Sequence, residues 1–331
     1  MNRLLRGSYP FDVFALRWLA PAMLLPMIGL SAMSRADDKP EKRLAGKDEQ
    51  AQTDEENLVP LTATGTVLLD KKKKRVLLKT HVVLQRGSLE MFCCLKQTKE
   101  HESILAIDAR AQVVHAGLLA IGAKPGRPVQ YTPAYQAPTG QKLVIFVNWT
   151  DEKGKAHRES AKSWVRQAIN RFWIVKMEEL PEGLKLPKNV ELRYDRKLKE
   201  LSWYGPMSAA QKKEFLTLSE AKEYRLAIES FFEQSQSREM NADWVFAGSG
   251  FFTDEETGKQ SYLAEGGNLI CVANFGDAMI DVASPSSADD SDRNFEAYTE
   301  RIPPKGTPVT VELILAPEKK PDAANRAEEK H

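Results

Sequence analysis

TVLLDKKKKRVLLKTHVVLQRGSLEMFCCL, residues 66–95, is the stretch on which the reading of the fold turns. Thr66–Leu69 and Arg75–Leu84 are short runs rich in Val and Leu, parted by Asp70 and four lysines. A block of like charge between two apolar runs reads either as a basic ligand patch or as a solvated turn joining two strands, and the turn is the reading adopted. Gly87-Ser88 turns the chain again. From there Leu89, Met91, Cys93 and Leu95 face one way, and Glu90, Phe92, Cys94 and Lys96 the other, at the period of two that a strand imposes. The expectation is an antiparallel meander.

Working outward, Ala111, Val114, Leu118 and Ile121 recur at helical spacing, with Asp108 as the expected N-cap and Gly122 as the stop. Lys142–Trp149 then reads as a strand that turns through Asp151–Lys155 into Ala156-His157-Arg158, a hairpin with an exposed tip. Residues 178–238 change character. Ser208–Gln211 and Thr217–Glu220 are capping-box candidates, and Tyr224, Ala227 and Phe231 continue a helical stripe. Strand text resumes at 244–252, 268–275 and 309–315. The expected class is α+β: a mostly antiparallel mixed sheet with packed helices and a helical insertion at about 178–238.

The ends differ from the middle. Arg3, Arg6 and Arg17 precede the apolar run Trp18–Met33, which ends in Ser34-Arg35-Ala36 with small residues placed for a cut after Ala36. That layout predicts a signal peptide over 1–36 and a periplasmic or secreted protein, with an uncleaved membrane-tethering anchor as the alternative. Residues 37–57 and 317–331 are charged and poor in large apolar residues, the composition of a disordered linker and tail around a domain at 58–316. The formal charge of the chain is +1, which exerts no global pull on nucleic acid or anionic membranes. No stable transmembrane segment is expected once the signal is removed.

Several segments recur together in a known order. They are Lys99–Leu105, Val114–Gly126, Trp149-Thr150-Asp151 with Gly154 and His157-Arg158, Trp244–Ser249, Gly267–Phe275 and Glu300–Val309. Together they resemble the YdjY-domain family of planctomycete-type exported proteins, over about residues 60–176 and 240–316. The resemblance implies export and a YdjY-like domain at 58–316, but no reaction. The ferredoxin-like label that some members carry is not transferred. An iron–sulfur cluster wants a set of closely spaced thiolates, and this chain has three cysteines, Cys93, Cys94 and Cys271. These read as small apolar strand residues, structural or thiol in role.

His101, Glu102 and His115 are the candidate metal ligands, since imidazole and carboxylate suit a divalent ion such as Zn²⁺. Their spacing matches no established zinc signature, and local fold roles compete. Asp151, His157 and Arg158 are the candidate ligand-binding set, with Arg158 as a fork donor to an anionic group. Ser249, between two glycines, is the weaker nucleophile candidate and lacks the G-x-S-x-G pattern. The expected function is a non-catalytic domain that binds a small ligand, a metal or an envelope protein. The alternatives are an extracytoplasmic metal-dependent hydrolase and an envelope scaffold.

Overall fold

Residues 57–188, 191–285 and 294–317 are described by the computed structural model. The expected signal segment, the linker before Asn57 and the tail beyond Pro317 lie outside them. The first five strands are β1 (Leu58–Pro60), β2 (Val67–Asp70), β3 (Arg75–Val82), β4 (Met91–Leu95) and β5 (Ser103–Ile107). After helix α1 (Ala111–Ala120) come β6 (Lys142–Thr150), β7 (Ala156–Ser160), β8 (Val165–Gln167) and β9 (Phe172–Lys176). Strands β10 (Arg193–Asp195) and β11 (Glu200–Tyr204) precede α2 (Ala209–Leu216) and α3 (Lys222–Gln234). Then follow β12 (Trp244–Phe246), β13 (Phe251–Thr253), β14 (Gln260–Tyr262), β15 (Ile270–Cys271), β16 (Ile280–Val282), β17 (Phe295–Ala297) and β18 (Pro308–Leu315).

Neighbouring strands run β3–β18–β6–β12–β16–β15–β4–β5, and β5 pairs back onto β3 through His81↔Ala106 and Val82↔Leu105. The ring is closed. The expected α+β class is therefore corrected: the protein is mostly β, built on an eight-stranded barrel rather than an open sheet covered by helices. Closure removes the sheet edges that packed helices would otherwise have to cover. Eight strands enclose a space that side chains can fill. Here Val76 and Leu78 of β3, Ile145 and Val147 of β6, and Val311 and Leu313 of β18 fill it with Phe92 and Trp244.

The meander is also corrected. The lysines at 71–74 do turn β2 antiparallel onto β3, but β4 leaves that sheet neighbourhood, pairing parallel with β5 and antiparallel with β15. Every residue of β4 and β5 is buried, the two-faced burial typical of parallel pairs.

Helix α1 sinks Val114, Leu118 and Ile121 into the barrel's core cluster. Gly117 makes the close approach: a Cβ there would stand 3.2 Å from Leu61 and 3.3 Å from Val76. Asp108 does not cap it. The first amides, Ala111 N and Gln112 N, donate to Glu265 at 3.2 and 3.1 Å. Gly122 follows the helix at φ +90°, the left-handed stop.

The stretch read as a helical insertion is a small sheet, order β10–β11–β9, with α2 and α3 packed on it. It has its own core of Trp203, Phe215, Tyr224 and Phe231. Ser208 and Gln211 form the reciprocal capping box that starts α2. The N-cap of α3 is Ala221, which makes no side-chain cap, so Thr217–Glu220 is not a capping box. Both ends of this unit meet the barrel side by side, where Gln167 N donates to Arg238 O and Met240 N to Val165 O. Among the described residues no helix is long and apolar enough to cross a membrane.

Candidate functional site

The hairpin β6–β7 turns at Thr150–Lys155, and Asp151 builds the turn. Its Oδ1 accepts from Lys153 N and Lys155 N, each at 2.9 Å. Gly154, at φ +77°, supplies the left-handed residue the turn requires. The other oxygen, Oδ2, lies 2.8 Å from His157 Nε2. The His157 bond and the two amides hold the Asp151 carboxyl below its usual range. An ionised Asp151 makes Nε2 the N–H of His157, so the outward nitrogen is Nδ1.

His157 stacks flat on Trp149, with centroids 4.7 Å apart and planes 10° from parallel. Trp149 in turn meets the edge of the buried Trp164 at 5.1 Å. Three clefts, of about 590, 480 and 580 Å³, share Trp149 and His157 in their walls. The segment 300–307 makes the far wall of one of them. It is pinned to the end of β3 by Gly306 N donating to Val82 O and Val82 N to Thr307 O. Arg301 stands at that wall, its guanidinium 4.0 Å over the Tyr298 ring and paired with Glu239. Arg301 and the prolines beside it escaped the reading of single side chains; the signal was there only in the recurring segment 300–309.

Arg158 points to the opposite face of β7, as alternation demands. Its Nε donates to Glu312 Oε2 at 2.9 Å, and its guanidinium lies 3.6 Å over Phe146. Glu312 is shared with Arg75, which also holds Asp70. Of the expected set, Asp151 and His157 pair directly, while Arg158 is engaged with Glu312 and also lines, with Trp149 and His157, one of the three clefts.

His101 and Glu102 share the short turn before β5, where His101 Nε2 is 3.7 Å from Glu102 Oε2 and its side chain is 77% exposed. Glu102 faces inward instead. Lys99 Nζ lies 3.2 Å from Glu90 and 3.5 Å from Glu102. Burial and the neighbouring Glu90 push the Glu102 carboxyl up. His115 sits on α1 against Phe246 and Tyr262. The Tyr262 hydroxyl donates to Gly248 O at 2.9 Å, so its 2.8 Å contact with His115 Nδ1 uses the imidazole N–H. Burial lowers the His115 pKa and keeps it neutral. Among the described residues no group of three or more His, Cys, Asp or Glu is arranged to hold a metal, so these three do not form one.

The three cysteines are free and buried. Burial raises all three thiols, which leaves them protonated and unreactive. Ser249, at φ +56°, donates its hydroxyl to Asp277 O at 2.6 Å. With Gly248 it forms the bend that ends β12 and redirects the chain into the β13–β14 hairpin.

A family model described as the YdjY domain matches residues 67–173 and 214–314. Its gap falls inside the small sheet-and-helix unit. Searches of curated proteins and of solved structures find no match.

Proposed function

The chain belongs to the YdjY-domain family, and from that premise we propose that its barrel is a non-catalytic, extracytoplasmic binding domain whose small anionic ligand docks against Trp149 and His157. The observation that carries this reading is the convergence of three clefts on one stacked pair whose imidazole is oriented by Asp151. An aromatic face beside a few oriented polar groups is the usual composition of a small-molecule site. In the cleft beside β18 the charged lining besides His157 is Lys79 and Arg158, with no acid among them, and that wall favours negative charge. The test is ligand-observed NMR with citrate, galacturonate and inorganic phosphate as probes. Saturable binding of at least one probe, lost in His157→Ala and weakened in Asp151→Asn, is expected. No binding by any of the three, or binding indifferent to His157, overturns it.

The scaffold alternative has one observation behind it. Phe172, Ile174 and Tyr204 are exposed together on the outer face of the small sheet. On that reading Phe172→Ser with Ile174→Ser abolishes self-association in sedimentation velocity, and a wild-type chain that sediments as a monomer at all concentrations rules out self-assembly through this face.

A further inference from the structure

One edge of β6 is divided between two strands. β12 pairs with it at Lys142 and Leu143, and β7 pairs from Phe146 to Thr150. Val144 and Ile145, in between, have ladder partners only on the β18 side, Ile314 and Leu313. At this point the barrel wall parts, and a cleft of about 880 Å³ opens.

The cleft has an apolar floor and a charged rim. Its accessible apolar lining is Val144 with Pro125, Ala316 and Pro317, while Leu143, Ile145 and Trp244, buried in the barrel core, close it from beneath. The charged residues that line it are Lys124, Lys142, Lys162 and one acid, Asp243, so positive charge exceeds negative by two. Asp243 bridges two of the lysines: Lys162 Nζ is 2.8 Å from Oδ1 and Lys142 Nζ is 2.9 Å from Oδ2. These two ammonium groups bring its pKa down to about 2, so the bridge is ionised at every physiological pH. Asp243 thereby holds two cationic side chains at the mouth of an apolar slot.

We propose that this cleft binds an aliphatic carboxylate, its chain lying on Val144, Ala316 and Pro317 and its head group held by the lysines at the rim. Each part of the ligand answers a feature of the site. The chain gains about fourfold in affinity per methylene buried. The head group competes with Asp243 for the lysines, so Asp243 limits affinity for acids without affecting neutral chains.

The test is calorimetric titration of the full chain with decanoate, decan-1-ol and acetate. Decanoate is expected to bind saturably at one site, decanol more weakly and acetate not at all. Lys124→Gln with Lys162→Gln should reduce decanoate affinity to that of decanol. Asp243→Asn should tighten decanoate, and not decanol, by about two- to fivefold, the span of an exposed ion pair. Val144→Trp should block both chains. His157→Ala should leave decanoate binding unchanged, which separates this cleft from the Trp149–His157 site. The proposal is overturned if decanoate does not bind saturably, if the lysine variant binds it as the wild type does, or if His157→Ala abolishes it. Because the lysines are surface groups, that variant keeps the test decisive even if Val144→Trp fails to fold.

Discussion

Asp281 and His115 are both taken out of water, and the same physics moves their pKa values in opposite directions. Burial raises Asp281 to about 7, although Asn274 and the Val282 amide bond its Oδ1. Burial lowers His115 below its usual 6.5. Each shift is a stability statement. For Asp281 the folded state keeps a proton that the unfolded chain sheds above about 3.8. Its contribution is therefore full at low pH and is lost as pH rises from there to about 7, at up to about 1.4 kcal/mol per pH unit. For His115 the unfolded chain takes a proton that the folded state resists, so stability is lost as pH falls below 6.5. Urea unfolding at a series of pH values should show Asp281→Asn gaining on the wild type from pH 4 to 7 and level above. His115→Phe should remove part of the loss below pH 6.5. Parallel pH profiles for variant and wild type would contradict either assignment. At this scale the Asp151–His157 pair was legible, because both flank one turn and pairing is local. The separation of His101 from His115 was not, because a turn and a helix carry them and only packing orients the two.

Among the elements, β18 shows how a strand's outer face is held. Glu312, 3% exposed, lies between Arg75 and Arg158, and Arg75 also serves the buried Asp70. Arg75→Ala removes the ion-pair partner of the buried Asp70 and one of the two partners of Glu312, which keeps Arg158, and a loss of about 3 kcal/mol is expected in urea unfolding. Arg158→Ala removes a half-exposed partner from a carboxylate that keeps Arg75, so it should cost under about 1 kcal/mol. Equal costs would mean that Arg75 is not the hub. Elements with internal signals could be read: the lysine turn between β2 and β3, the β6–β7 hairpin, the stripe of α1 and the Ser208–Gln211 box. Strands β12, β15 and β16 have two or three residues each, too few for alternation to register. Text that looked like one strand at 244–252 is two, split by the positive φ of Gly248 and Ser249.

At the scale of the whole fold, the described residues form two separate large cores, the barrel's and that of the β9–β11 sheet with its helices. Phe231 is fully buried in the second. Phe231→Ala should cost that unit about 3–5 kcal/mol and raise amide exchange across 172–234, with β3, β6 and β18 still protected. Because its ends lie together at the Arg166↔Glu239 bridge, replacing residues 171–236 by a linker of about six residues should leave a barrel that melts cooperatively. Loss of barrel protection in either variant would show one cooperative unit instead. By itself the sequence determined what is local: the lysine turn and the Asp151 turn, the apolar stripe of α1, the Ser208–Gln211 box that starts α2, and the order of segments that marks the family. Only the tertiary structure decided that β5 closes onto β3, that Glu265 rather than Asp108 caps α1, and that three clefts meet at Trp149 and His157. Those outcomes join residues far apart in the chain, and a strand of two or three residues acquires its partner from the closure of the ring rather than from its own side chains.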